Sequence, residues 1–227
     1  MMSSYTRMSW MALLLYFASL STGVCGGPVT AGSAPNGARF GAERASPDAS
    51  HVADWVVASG DNHGLPFVIV DKRAARVFVF RSDGQLRGAA PVLLGLARGD
   101  DTIPGIGTRP LSKVLPEERT TPAGRFVAAL GRNLKTDILW IDYDAAISLH
   151  RVITSTRDQR LERLATPTVA DNRISYGCIN VPAQFFDEVV LPAFNGTKGI
   201  VYILPEVRSL SEVFAGYRDP STRTASD

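Results

Sequence analysis

Leu65-Pro66-Phe67-Val68-Ile69-Val70, then Asp71-Lys72-Arg73-Ala74-Ala75, then Arg76-Val77-Phe78-Val79-Phe80: this passage decides the fold. Two runs of β-branched and aromatic residues flank five residues of turn character, which reads as strand, turn, strand. Ser82-Asp83-Gly84 turns the chain again into Ala90-Pro91-Val92-Leu93-Leu94-Gly95. Further along, 121–127, 138–143, 146–153 and 199–204 repeat the strand pattern. Short strands with regular turn signals predict an antiparallel sheet. The stretch 97–118 is rich in Gly, Pro and charge and reads as a long loop. Two short helices are expected. One covers 157–164, inside an insert running from Ser155 to Asn172. The other covers 182–191, where Pro182 suits a first helical position and Phe185, Phe186, Val189 and Val190 share one face. The sequence shows no internal repeat.

Around this mostly-β core, 52–207, the ends read differently. Arg7 precedes an eleven-residue apolar run, 10–20, and small residues follow it. A basic flank, a short apolar core and a small-residue exit make a signal peptide, assigned to 1–26, and the run is too short to span a bilayer. Residues 27–51, mostly Gly, Ala, Ser and Pro without periodicity, read as a flexible linker, and 208–227 as a loose tail. The 227 residues carry a formal net charge of +2, so no strong field points to nucleic acid. A lipid anchor at Cys25 is disfavoured, because Val24 stands where such signals want Gly or Ala. Two cysteines and three histidines show no metal-ligand spacing, and no cofactor is expected.

If Cys25 leaves with the leader, Cys178 is the one thiol of the mature chain, and it stands in Ile174-Ser175-Tyr176-Gly177-Cys178-Ile179-Asn180. A turn-forming loop lifts a sulfur into the open with amide N–H groups beside it, as thiol acyl chemistry needs. Most free cysteines are instead small buried hydrophobes. A nucleophilic thiol also needs a base. His51, His63 and His150 are available, and His150, closing an apolar strand, is best placed.

The Ser175–Asn180 loop, His150 upstream of it, and Thr121-Pro122-Ala123-Gly124-Arg125-Phe126 before both resemble the catalytic domain of the bacterial L,D-transpeptidases across about 65–204. The resemblance implies a mainly β fold, a mixed-strand β-sandwich or partly open barrel with a few short helices. It implies Cys178 as nucleophile and His150 as base, with the Arg151 carbonyl orienting the imidazole. It implies Gly177 and its neighbouring amide as oxyanion donors, and Ser175 and Asn180 as supports of the loop. Tyr176 stands where the family has a second histidine; a phenol still donates a hydrogen bond to an oxyanion. The spacer between His150 and Ser175 is longer than is usual in the family. Its arginines, Arg157, Arg160 and Arg163, and Arg173 just beyond it, are candidates for stem carboxylates, Arg163 and Arg173 foremost.

The implied partner is the peptide stem of peptidoglycan, the location is the periplasm or cell wall after export, and a monomer is expected. A carboxypeptidase or endopeptidase using the same thiol, or a catalytically impaired wall-binding module, would carry the same motif.

Overall fold

The computed structural model describes residues 37–154 and 158–219; the expected leader, Cys25 and Arg157 lie outside them. The chain enters through a helix, α1 (Pro47–Ser59). Ser46 caps it, its Oγ accepting from the Ala49 N–H at 3.1 Å, with Pro47 and Asp48 in the first turn. Ala49, Val52, Ala53 and Val56 form its buried stripe. This corrects the linker expected over 27–51 from Pro47 onward, while 27–36 lie outside the described residues. Composition hid a Ser-Pro-Asp start signal whose stripe needs a sheet to cover it.

The strands follow: β1 (Phe67–Asp71), β2 (Arg76–Phe80), β3 (Leu86–Pro91), β4 (Leu94–Gly95), β5 (Gly124–Asn133), β6 (Thr136–Asp142) and β7 (Ile147–Arg151). Then come α2 (Arg160–Ala165), β8 (Arg173–Ser175) and β9 (Ile179–Val181). A composite helix comprises α3 (Ala183–Phe185), a π turn (Phe186–Val190) and α4 (Leu191–Phe194); β10 (Lys198–Ile203) and α5 (Leu210–Val213) close the chain. Pro182 precedes the first helical residue, and Pro192 has no N–H to return to the turn before it, where the π geometry sits.

Eight strands form one sheet in the order β3-β2-β1-β10-β5-β6-β7-β9, while β4 and β8 pair separately. The expected β1–β2 hairpin is present, Phe67 opposite Phe80. The sheet is mixed rather than antiparallel, because β1–β10 and β7–β9 run parallel. Long crossovers made these pairs invisible to turn chemistry. The sheet also curls: Leu93, just past β3, exchanges two 2.9 Å hydrogen bonds with Asn180 on β9, the opposite edge.

Period-two alternation splits the apolar residues between two cores. Val68, Val70, Val77 and Val79 meet Leu139, Leu149, Ile179 and Phe186 inside the curl. Phe67, Ile69, Phe78, Phe80 and Tyr202 meet α1 on the other face. Phe214 and Tyr217 join that second core beside Trp55. The segment expected as a loose tail therefore packs through α5 as far as Tyr217, because its two aromatic rings complete a cluster that α1 leaves open.

Candidate active site

Strand alternation puts Ser148 and His150 on one face of β7. In the parallel register, Leu149 faces Ile179 and His150 faces Asn180. Cys178 therefore falls beside Ser148, Sγ to Oγ 3.6 Å, and the four side chains make a two-by-two patch. A cleft of about 510 Å³ opens over it, lined also by Ile138, Trp140 and Asp137. Cys178 is a free, half-buried thiol.

The imidazole is fixed from behind. His150 Nδ1 lies 2.7 Å from the Arg151 carbonyl, which only accepts, so Nδ1 carries the proton and leaves Nε2 to act as acceptor. Burial disfavours both charged forms, yet each group overcomes it through the other. Hydrogen bonding and charge attraction with His150, aided by Ser148, bring the Cys178 thiol below its ordinary range. The same interactions with Cys178, aided by the Arg151 carbonyl and opposed by Arg160, raise His150. Opposite shifts of this kind favour a thiolate–imidazolium pair.

The loop that presents the thiol is braced from within. Ser175 Oγ donates to the Cys178 carbonyl at 2.6 Å and accepts from the Gly177 N–H at 3.0 Å. Asn180 Nδ2 donates to the same carbonyl at 3.2 Å. The Gly177 N–H is thereby engaged, which corrects its assignment as an oxyanion donor. The Cys178 N–H has no protein partner among the described residues. Gly177 has φ +129°, and a Cβ there would lie 2.7 Å from the Thr120 carbonyl oxygen, so glycine is required.

Three expected contributors are placed elsewhere. Tyr176 packs on the core with the Arg119 guanidinium 4.0 Å over its ring and does not line the cleft. A cation at that distance attracts the ring face and the pair clamps two loops together. Arg173 is only 8% exposed and pairs with Glu206 at 2.7 Å, beside a Lys72–Asp100 pair at 2.8 Å. Buried charges must be matched, and this cluster holds two of each sign. Arg163 spends its guanidinium on the Asp158 and Asp171 carbonyls, which shapes the insert. Neither Arg163 nor Arg173 borders the cleft. Arg151 holds its side chain against Asp187, the Asp137 carbonyl and the Phe186 ring, so only its carbonyl serves His150.

Sequence reasoning missed three residues here. Ser148 was legible, two positions before His150 on an alternating strand. Thr121 was quoted without a role: fully buried, its hydroxyl donates to the Gly177 carbonyl and accepts from the Gly95 N–H, both at 2.8 Å. Lys72 in turn donates to the Thr121 carbonyl at 2.9 Å, which ties the charged cluster to the motif loop. Lys72 looked like a turn residue, and nothing local signalled its burial.

No protein-family model matches the chain, and no curated protein matches it. Solved structures do. An L,D-transpeptidase mutant of Enterococcus faecium is 17% identical over 61% of this chain and 49% of its own, with a TM-score of 0.35. A Mycobacterium tuberculosis L,D-transpeptidase is 14% identical over 61% and 57%, TM-score 0.36. A helical cell shape determining protein of Campylobacter jejuni is 16% identical over 72% and 58%, TM-score 0.41. The chain spans about half the length of these structures. Likenesses this loose assign no role to any residue here.

Proposed function

We propose that this chain is an exported cysteine acyltransferase of the L,D-transpeptidase kind, acting on the peptide stems of peptidoglycan. The observation that carries the reading is the patch of Cys178, His150 and Ser148 at the floor of an open cleft, with Asn180 buried beside His150 and the imidazole steered by the Arg151 carbonyl. The motif resemblance supplies the substrate class. Cys178 Sγ, its proton already passed to His150 Nε2, attacks the carbonyl of the stem's third residue as a thiolate. The developing oxyanion takes a hydrogen bond from the Cys178 N–H. Collapse expels the terminal D-alanine, whose amine leaves with the proton from His150, and a thioester remains. An amine of a second stem then attacks the thioester and gives its proton to His150. The new amide departs, and the proton returns to Cys178.

The test is incubation of purified protein with a tetrapeptide stem and an amine acceptor, followed by mass spectrometry. Cross-linked product and a thioester on Cys178 are expected, and both vanish in Cys178→Ala. Undiminished cross-linking by that variant defeats the proposal. Hydrolysed stem with no cross-link, whatever the amine concentration, replaces it with a carboxypeptidase.

A further inference from the structure

Arg160 belongs to α2, in the insert between His150 and the motif loop, and its side chain is only 13% exposed. The helix is seated by Leu164, which is buried with Leu93, Val152 and Ile174. From there Arg160 Nη1 reaches the Asn180 side chain at 2.8 Å. A guanidinium only donates, so the atom facing it is Oδ1, and the amide has no choice of orientation. Its Nδ2 then faces the Cys178 carbonyl at 3.2 Å and His150 Nε2 at 3.5 Å. The second distance is too long for a strong bond, but its polarity matters. An N–H there cannot accept a proton from that nitrogen, so a proton on Nε2 is left to the thiol sulfur.

We infer that Arg160 is a positioning residue for His150, acting through Asn180: it keeps the amide turned so that Nε2 stays open toward the thiol. This rests on the acyltransferase reading for its purpose, though not for its geometry. Without the guanidinium the amide is free to turn Oδ1 toward Nε2, and an acceptor there stabilises a proton on Nε2 while drawing it away from the sulfur. The groups facing the imidazole are Cys178 from the motif loop, Asn180 from β9, the Arg151 carbonyl from β7 and Arg160 from α2; Asp137 of β6 lines the same cleft. Asp158 pairs with Arg160 at 3.3 Å, partly offsetting its charge. Arg160 itself opposes the imidazolium.

The chain has only three histidines, so the question suits nitrogen NMR of histidine-labelled protein, with His150 assigned through His150→Gln. In a Cys178→Ala background, which removes the thiol's own influence, neutral His150 is expected to carry its proton on Nδ1. Adding Arg160→Met should bring a measurable share of Nε2–H tautomer and move the titration midpoint up. Arg160→Lys, which keeps a donor and a charge, should restore both. Asn180→Asp, which sets an acceptor on Nε2 while leaving Arg160 an oxygen to donate to, must raise the midpoint as well. An unchanged tautomer and midpoint in Arg160→Met, failure of Arg160→Lys to rescue, or an unmoved midpoint in Asn180→Asp would each overturn the inference. No readout requires acyl transfer: absence of cross-linking with the His150 response intact defeats the proposed function alone.

Discussion

Replacing Gly177 by alanine tests the claim that the motif loop is held by contact and not by flexibility. The new methyl would stand 2.7 Å from the Thr120 carbonyl oxygen and 2.8 Å from Ile147 Cδ1. Reaching an ordinary 3.4 Å separation needs a shift of 0.7 Å from the first of these. Neither neighbour yields easily, since Ile147 is core and the adjacent Thr121 is fixed through its hydroxyl and its carbonyl. A non-glycine residue at φ +129° adds about 1–3 kcal/mol of backbone strain, and overpacking adds about as much. About 4 kcal/mol in all lowers Tm by roughly 8–16 °C for a domain of this size. Under the proposed acyl transfer, a sulfur displaced by most of an ångström would lose on the order of 10²-fold in turnover. Thermal unfolding by circular dichroism and stem–amine turnover by mass spectrometry read the two effects separately. A variant that melts within about 2 °C of wild type and turns over within about twofold refutes the reasoning.

Lys72→Met strips one cation from a cluster whose side chains are nearly inaccessible and leaves the carboxylates of Asp100 and Glu206 with Arg173 alone; a loss of about 3–5 kcal/mol is expected by urea unfolding. Burial works against the Asp100 carboxylate, but Lys72 and three backbone N–H groups hold its pKa well below the usual range; its stabilisation is complete above about pH 4 and drains away as pH falls below that, so the variant and wild type should converge in acid. A lowered thiol pKa extends the thiolate toward acid, and a raised imidazole keeps its proton above the usual midpoint. Iodoacetamide should therefore label Cys178 at pH 6.5 far faster than a free peptide thiol, which is only about 1% ionised there, and His150→Gln should abolish the excess; equal rates for protein and peptide would rule out the pair.

What could be read from the sequence was whatever a short window encodes. The alternation around His150 and the turn chemistry at Gly177 each fit within a few residues, so both were visible, and Ser148 was visible by the same alternation. Lys72 and Arg173 were not, because their meaning lies in partners 28 and 33 positions away, Asp100 and Glu206. An arginine near a motif loop suggests a ligand contact only until burial and a matched carboxylate give it structural work. Parallel pairing hides in the same way: no turn announces that β9 lies beside β7, yet that register brings Asn180 to His150. The departure at Tyr176 carries the same lesson from the other side. Its position in the motif suggested a role at the oxyanion, whereas Arg119, 57 residues earlier, claims the ring face at 4.0 Å. The placement of the side chains around this loop was therefore legible at the positions whose partners are local or on the next strand. It was misread where a distant guanidinium decides which way a side chain is spent. Arg160 is the exception that joins the two cases, a distant guanidinium spent on the patch itself.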